Sequence, residues 1–235
     1  IGSYIQAGRD EGGTIVTASD SFVADMVIAG EVIGLIGRDL SIQADQTVDA
    51  TGMFVMPGGI DVHTHLDMPF MGTRSRDDFE TGTRAAAFGG TTAIVDFVTP
   101  EKGKPLAQAL ADWNTRARGH ACIDYGFHMC IVDMNPAILA EMDALVGEGI
   151  TSFKLFTAYP GSLMIDDAAI YRVMQWAARS GALVQAHCEN GPAIAAIVSD
   201  MMAAGNTEPI DHIRSRPSAL EGEAKEARLR DARYA

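Results

Sequence analysis

The sequence predicts an α/β fold in which parallel strands alternate with helices, preceded by a smaller β-rich segment. Between residues 56 and 235, five apolar, strand-like runs are each followed by a helical pattern, an alternation typical of a parallel sheet covered by helices. Residues 1–55 contain short β-like runs instead. Chemically distinctive residues fall where the later strands end. We therefore predict two domains, residues 1–55 and residues 56–235.

The N-terminal segment has the pattern of a small β-sandwich. Strand-like runs cover residues 14–17, 22–28 and 32–36. Ala29-Gly30-Glu31 separates the last two and predicts a hairpin with glycine where a positive φ is needed. Because about fifty residues bury little surface alone, we expect this segment to pack against other parts of the protein or to be completed by them.

The second domain fits either a doubly wound sheet or a barrel. After the strand that carries His63 and His65, strands are predicted over residues 91–98, 123–132, 150–157 and 182–187. Helices are predicted over residues 106–117, 167–179, 192–204 and 220–234. Two more helices are predicted, one that begins at Ser75 or Asp77 and ends at residue 88, and one that begins at residue 135. No Gly-X-Gly-X-X-Gly motif follows a strand, which disfavours a dinucleotide-binding fold. Distinctive residues at strand C-terminal ends are typical of (β/α)8 barrels. We predict a TIM-like (β/α)8 barrel with about its first five βα units present.

The composition and charge of the chain indicate which kinds of partner and which cellular compartment to expect. The chain has 235 residues, 47% hydrophobic and 21% charged, which is typical of a globular protein. Its net charge of −13 repels phosphate backbones and anionic lipids, so we expect no nucleic-acid or membrane partner. Three cysteines in apolar segments, and a start without a signal-peptide pattern, predict a soluble, cytoplasmic protein with reduced thiols.

Three strand ends carry candidate metal ligands. Since strand side chains alternate between faces, His63 and His65 point one way and Thr64 the other, an arrangement that can hold a divalent metal but also occurs by chance. Lys154 lies in an apolar strand, where a lysine either reaches solvent or serves chemistry. His187 ends the next strand, where a core histidine is the ordinary alternative. Together the three strand ends favour a metal site.

Four motifs form a recognisable set. They are GGIDVHTHLDMPF over residues 58–70, DFETGTRAAAFGGTT over 78–92, FKLFTAY over 153–159 and HCENG over 187–191. From about residue 14 to about residue 223 the chain resembles the cyclic amidohydrolases called D-hydantoinases or dihydropyrimidinases. The resemblance implies metal-dependent hydrolysis of the cyclic amide bond of hydantoins or 5,6-dihydropyrimidines to N-carbamoyl amino acids. It also implies a homo-oligomer, either a tetramer or a dimer.

The resemblance implies a role for each candidate ligand. His63 and His65 would bind the first of two zinc ions, and His187 would bind the second. Lys154 would become N6-carboxylysine and bridge both ions, which suits a lysine whose apolar surroundings favour the neutral amine that adds carbon dioxide. Tyr159 would donate a hydrogen bond to the developing oxyanion.

Apolar residues follow the histidine pair, where substrate would enter. Leu66, Met68 and Phe70, together with Tyr159, are the predicted substrate-binding residues, and ordinary loop packing is the alternative for the first three. Asp96 ends a strand and fits either an acid that orients a metal histidine or one that meets a helix cap.

Three further positions fit structural roles. Glu189 and Asn190 are predicted caps of the helix that begins near Gly191. His128 is predicted to be a core histidine.

Part of the family's metal site has no counterpart in these 235 residues. The family places another histidine at the sixth strand and an aspartate, both ligand and general acid/base, at the eighth, and a complete barrel takes roughly 250 residues. We therefore expect a fragment or shortened product of such an enzyme. An open half-barrel exposes strand edges and apolar faces, so we expect it to aggregate or to pair with complementary polypeptide.

Three related functions are alternatives. Dihydroorotases usually carry an arginine just after His-X-His, where this chain has Leu66-Asp67, and are disfavoured. Allantoinases usually have Met-Pro where this chain has Phe97-Val98, and Tyr159 also favours the hydantoinase side. A non-catalytic assembly protein resembling the dihydropyrimidinase-related proteins would generally have lost the metal ligands, which this chain retains.

Overall fold

The computed structural model describes residues 3–6, 13–70 and 72–235. The chain divides into two compact units, residues 1–59 and residues 60–235. None of the helices in the described part of the chain has both the length and the apolar character needed to cross a bilayer.

The first unit is built of short strands in two sheets. Its strands are β1 (Ser3–Gln6), β2 (Thr14–Val16), β3 (Ser21–Val23), β4 (Asp25–Ala29), β5 (Val32–Gly37), β6 (Gln46–Asp49) and β7 (Phe54–Val55). The sheets have the orders β5-β4-β1-β6 and β3-β2-β7. Buried side chains from both sheets, Ile15 and Met26 with Ala24 between β3 and β4, form one small core.

Two sequence predictions meet this unit directly. The hairpin is confirmed: β4 and β5 pair antiparallel, and Gly30 has φ +64°. The single strand predicted over residues 22–28 is wrong. It divides at Ala24 into β3 and β4, because the two halves pair with strands of different sheets.

The second unit alternates strands and helices. Its strands are β8 (Gly59–Thr64), β9 (Pro69–Phe70), β10 (Thr73–Arg74), β11 (Thr91–Val98), β12 (Asp124–Cys130), β13 (Ser152–Phe156) and β14 (Leu183–His187). Its helices are α1 (Phe79–Phe88), α2 (Leu106–Ala117), α3 (Pro136–Gly147), α4 (Asp167–Ser180), α5 (Gly191–Ala203), α6 (Pro209–Arg214) and α7 (Ser218–Tyr234). Five strands form a curled parallel sheet in the order β14-β13-β12-β11-β8. The predicted partial barrel is therefore confirmed.

The start of α1 differs from the prediction. Asp78, rather than Ser75 or Asp77, caps the helix by accepting a hydrogen bond from the Thr81 amide at 2.8 Å. The other two residues hold the loop after β8, since the Met68 amide donates to the Ser75 hydroxyl and the Asp67 amide donates to the Asp77 carbonyl. Polar residues near a helix start thus serve the neighbouring loop as well as the cap.

Strand alternation separates the two faces of the sheet. Phe153 and Leu155 of β13 belong to the main core beneath the helices. Cys130, Phe156 and Phe97 form a separate buried cluster on the opposite face, inside the curl. The register pairs Lys154 with Cys130 and Gln185, and Phe156 with His187. Since laterally paired residues of parallel strands share a face, the predicted ligands at these strand ends lie inside the curl.

Candidate metal centre

His63 and His65 lie together at the end of β8. Their ring centroids are 5.3 Å apart, and each ring also contacts Phe97, at 4.7 Å and 5.0 Å. Burial lowers the pKa of His63, and the charge of Lys154 lowers it further. Burial also lowers the pKa of His65, followed by the charges of His63 and Lys154. Both imidazoles are therefore neutral at pH 7, which is the form that binds metal.

Lys154 is buried inside the curl. It is 8% exposed, so it does not reach solvent at the strand mouth. Its Nζ lies 5.5 Å from the Phe97 ring centre and 5.7 Å from that of Phe156, and it forms no ion pair with any acidic side chain of the described residues. Burial lowers the pKa of this amine, while Cys130 and Cys188 oppose the change. The neutral amine is thereby favoured.

His187 ends β14, two residues before an acidic side chain. Its Nε2 lies 3.2 Å from Glu189 Oε2, but this buried nitrogen has no hydrogen-bond partner among the described residues. Buried His65 Nδ1 also lacks one. Both histidines therefore keep unpartnered ring nitrogens.

These donors fit a metal centre if the lysine is converted to a carboxylate. Among the described residues, no three His, Cys, Asp or Glu side chains form a metal site by themselves. Instead, the charge of Lys154 acts on His63 and His65, and His187 acts on His63, so three histidines and one amine influence one another. The oxygens of N6-carboxylysine would supply the anionic ligand that the four side chains otherwise lack.

The ends of β13 and β14 are tied together by Thr157. Its hydroxyl donates to the Glu189 carbonyl at 2.7 Å and accepts from the Glu189 amide at 2.9 Å. Its amide donates to the His187 carbonyl at 3.0 Å. The Glu189 backbone is thus fixed beside the histidine, and only Asn190 caps α5, by accepting from the Ala193 amide. The predicted capping role of Glu189 is therefore wrong.

Tyr159 occupies a strained turn next to this site. Its φ is +63°, a left-handed conformation that costs of order 1–3 kcal/mol for a residue other than glycine. Its carbonyl accepts three backbone amides, those of residues 162–164, which hold the turn. The ring centroid lies 5.4 Å from that of His187. Burial and then Glu189 raise the pKa of the tyrosine, opposed by Arg216, so its hydroxyl remains a hydrogen-bond donor at neutral pH.

The loop after β8 divides the predicted substrate-binding residues. Leu66 and Met68 pack against the main core. A Cβ on Gly82 would lie 2.4 Å from Leu66 Cδ2, so this leucine lies directly against α1. Phe70 instead contacts Tyr159 edge to face, with ring centroids 5.9 Å apart. Of the three loop residues, Phe70 therefore lies beside the candidate oxyanion donor.

Two inward-facing residues of the middle strands complete the interior. Phe97 contacts His128 at 4.7 Å between ring centroids, in addition to His63, His65 and the lysine amine. His128 is buried; its Nε2 lies 3.0 Å from the Val62 carbonyl, and its Nδ1 bonds with Ser152 and Gln185. Its predicted core role is confirmed. Sequence reasoning missed Phe97, although the alternation of β11 could have placed it inside the sheet.

Among the described residues, Asp96 hydrogen-bonds neither histidine directly and meets no helix cap, so the predicted capping role is wrong, while the role of orienting a metal histidine stays a prediction. Its carboxylate accepts from the Thr64 hydroxyl, the Leu66 amide and the Trp113 indole. Burial raises the pKa of Asp96 to about 6, although these hydrogen bonds oppose the shift. No residue spacing signals this contact, because its partners lie on other elements.

The raised pKa of Asp96 predicts a pH dependence of stability. The folded chain holds this proton more tightly than the unfolded chain, whose aspartate titrates near 3.8. The contribution of Asp96 to the free energy of unfolding should therefore fall by about 2 kcal/mol as the pH rises from about 4.5 to about 7.5. Urea unfolding of wild type and Asp96→Asn at both pH values measures it. An unchanged difference between the two proteins would contradict the prediction.

Comparison with known proteins gives the family. The Amidohydrolase family matches residues 54–221. The chain is 50% identical over 213 residues to a D-hydantoinase of Geobacillus stearothermophilus, covering 90% of this chain and 45% of the relative. It is 41% identical over 219 residues to a dihydropyrimidinase of Rattus norvegicus, covering 91% and 42%.

A solved structure agrees. The crystal structure of dihydropyrimidinase from Brevibacillus agri NCHU1002 superposes with a TM-score of 0.95 at 47% identity, covering 100% of this chain and 50% of that chain. The chain thus spans about half the length of the relatives that it matches. Because the family match covers most of the described second unit, the chain belongs to the amidohydrolase family.

Proposed function

We propose that the protein hydrolyses the cyclic amide bond of hydantoins or 5,6-dihydropyrimidines to N-carbamoyl amino acids. The main support for the proposal is the environment of Lys154. Its amine is buried and has no ion-pair partner among the described residues, and it lies on the same side of the sheet as His63, His65 and His187. A purely structural lysine at this position would leave a polar group buried at a cost. The names of the relatives, D-hydantoinase and dihydropyrimidinase, support the same reaction class.

This chain would contribute four side chains to the metal centre. His63 and His65 would hold one zinc ion and His187 a second, with N6-carboxylysine at position 154 shared between them. When bound, two divalent ions supply Lewis-acid activation of water and of the amide carbonyl at neutral pH. Burial lowers the pKa of His63, of His65 and of Lys154, which favours the neutral imidazoles that bind metal and the neutral amine that takes up carbon dioxide.

Tyr159 would act on the substrate itself. Its protonated hydroxyl would donate a hydrogen bond to the ring carbonyl oxygen as that oxygen gains negative charge. The strained backbone and the three amides on its carbonyl hold the residue in one position, so little reorganisation is needed during reaction. Phe70, packed edge to face on the tyrosine, would cover the ring substituent and restrict water near the hydroxyl.

We propose a cellular location and an oligomeric state for the enzyme as well. Cys122, Cys130 and Cys188 are all free thiols, which supports a reducing, cytoplasmic location. We also propose a homo-oligomer, a tetramer or a dimer, on the strength of the family resemblance.

The test combines metal content, mass and ring opening. Purified protein is loaded with zinc in the presence of bicarbonate, and metal is counted by mass spectrometry. We expect about two zinc ions, an added mass of one carbon dioxide that is lost in acid, and hydrolysis of hydantoin and dihydrouracil. Hydrolysis of allantoin, without hydrolysis of hydantoin or dihydrouracil, would identify allantoin as the substrate instead. Stoichiometric metal without hydrolysis of any of the three rings would overturn the proposed reaction, and a protein without metal would favour a non-catalytic role.

A further inference from the structure

The Asp96 carboxylate is 0% exposed and joins two elements of the second unit. Its Oδ2 accepts from the Thr64 hydroxyl and the Leu66 amide, both at 2.8 Å. Its Oδ1 accepts from Trp113 Nε1 of α2 at 3.2 Å. All three partners are donors, so the ionised carboxylate, which only accepts, can satisfy each of them. Asp96 forms no ion pair within the described residues, so hydrogen bonds alone hold its charge.

The two partners of Oδ2 flank a candidate metal ligand. Thr64 precedes His65 and Leu66 follows it, so one oxygen fixes the chain on both sides of this histidine. Thr64 also separates His65 from His63. A shift of the carboxylate would therefore move the segment that carries both histidines.

Helix α2 also holds the Asp96 carboxylate. Trp113 binds its other oxygen, and the Arg116 guanidinium carbon lies 4.3 Å from the centre of the Trp113 ring. The same arginine donates to the Asp67 carbonyl at 2.8 Å. Leu66 is thus linked to α2 through Asp96, and Asp67 is linked to the same helix through Arg116.

The next residue of β11 acts on the opposite face. Phe97 contacts the rings of His63 and His65 at 4.7 Å and 5.0 Å. Because strand side chains alternate, Asp96 holds the histidine segment through hydrogen bonds from one side, and Phe97 packs against the imidazoles from the other. The two residues together leave the segment little freedom.

We propose that Asp96 is a positioning residue that sets the geometry of His63 and His65 for metal binding. The inference rests on the proposed function, because it needs those histidines to be ligands. Asp96 itself touches neither metal nor substrate and acts through Thr64 and the Leu66 amide. Groups that orient metal ligands in this way typically change metal affinity 10–100-fold when they are replaced.

The experiment measures Co²⁺ binding and the visible spectrum of the bound ion. We expect Asp96→Asn to bind Co²⁺ about 10–100-fold more weakly than wild type and with an altered spectrum. The asparagine NH₂ group cannot accept a hydrogen bond, so at least one of the three groups that donate to Asp96 would lose its acceptor and the histidine segment would shift. Thr64→Val, which loses one of the three hydrogen bonds, should show a smaller loss. Thr64→Ser keeps the hydroxyl and should restore wild-type affinity and spectrum.

Controls separate positioning from stability. Thr83→Val removes another buried hydroxyl, which bonds the Phe79 carbonyl and Cys122, and should lower the melting temperature without changing the Co²⁺ spectrum. If Asp96→Asn fails to fold, the Thr64→Val and Thr64→Ser pair decides. Wild-type affinity and spectrum in folded Asp96→Asn, or in Thr64→Val, would overturn the positioning role. A wild-type protein that binds no Co²⁺ would refute the proposed metal centre first.

Discussion

Lys154→Met is expected to remove bound metal and hydrolytic activity together while leaving the fold intact. Methionine keeps the length of the side chain and suits a position that is 8% exposed between Phe97 and Phe156. The substitution also removes a buried amine that has no ion-pair partner among the described residues, so the free energy of unfolding should be unchanged or higher. Metal affinity should fall by more than the roughly 10–100-fold that outer groups cost, because the shared anionic ligand is lost.

Three readouts distinguish these effects. Metal counting and the mass of the carbon dioxide adduct report the ligand, and a urea melt reports the fold. Lys102→Met is the control, since this lysine is exposed and donates to the Met164 carbonyl at 3.3 Å, and it should leave all three readouts unchanged. Two bound metals in folded Lys154→Met would show that the lysine is not a ligand.

Tyr159→Phe is expected to lower kcat by about 10²–10³-fold with little change in metal content, as for the loss of one oxyanion donor. The phenyl ring preserves the contacts with Phe70 and His187, and the turn is held by backbone amides rather than by the hydroxyl. Because the lost hydrogen bond would form mainly in the transition state, KM should change much less than kcat. Steady-state kinetics on dihydrouracil measure both.

Tyr171→Phe provides the comparison. Its hydroxyl donates to the Tyr234 carbonyl at 2.8 Å between α4 and α7, so its loss should reduce stability and leave kcat unchanged. A full kcat in Tyr159→Phe would exclude the hydroxyl as the oxyanion donor. A loss of bound metal in the same variant would assign the tyrosine to the architecture of the centre.

Periodicity and strand ends predict most of the second unit. The strand over residues 91–98 and the helix over 106–117 have their predicted bounds, since each is a long run of one pattern between clear breaks. The candidate ligands at 63, 65, 154 and 187 follow from alternation and from the family resemblance. The structure adds their common face and their mutual electrostatic influence, while their roles as ligands remain a proposal.

Contacts between distant elements could not be predicted. Helix α6 is short and β9 and β10 have two residues each, too few to show a period. The bond from Trp113 to Asp96 joins a helix to a strand, and the indole looks like any core tryptophan in the sequence. The split at Ala24 likewise depends on which sheet each half joins, a tertiary choice that overrides a continuous β-like run.

The strand order gives the curvature of the sheet a chemical meaning. His63 lies in β8, His65 directly follows that strand, and His187 ends β14; β8 and β14 are the two outermost strands of the five-stranded sheet. Neighbouring strands rotate by roughly 20–25°, so a small change of twist at each of the intervening strands accumulates across the sheet. The packing of the core beneath β11, β12 and β13 therefore influences the distance between His187 and the pair His63 and His65. A core substitution far from all the candidate ligands is expected to change this distance and, with it, the fit of the candidate metal centre to its ions.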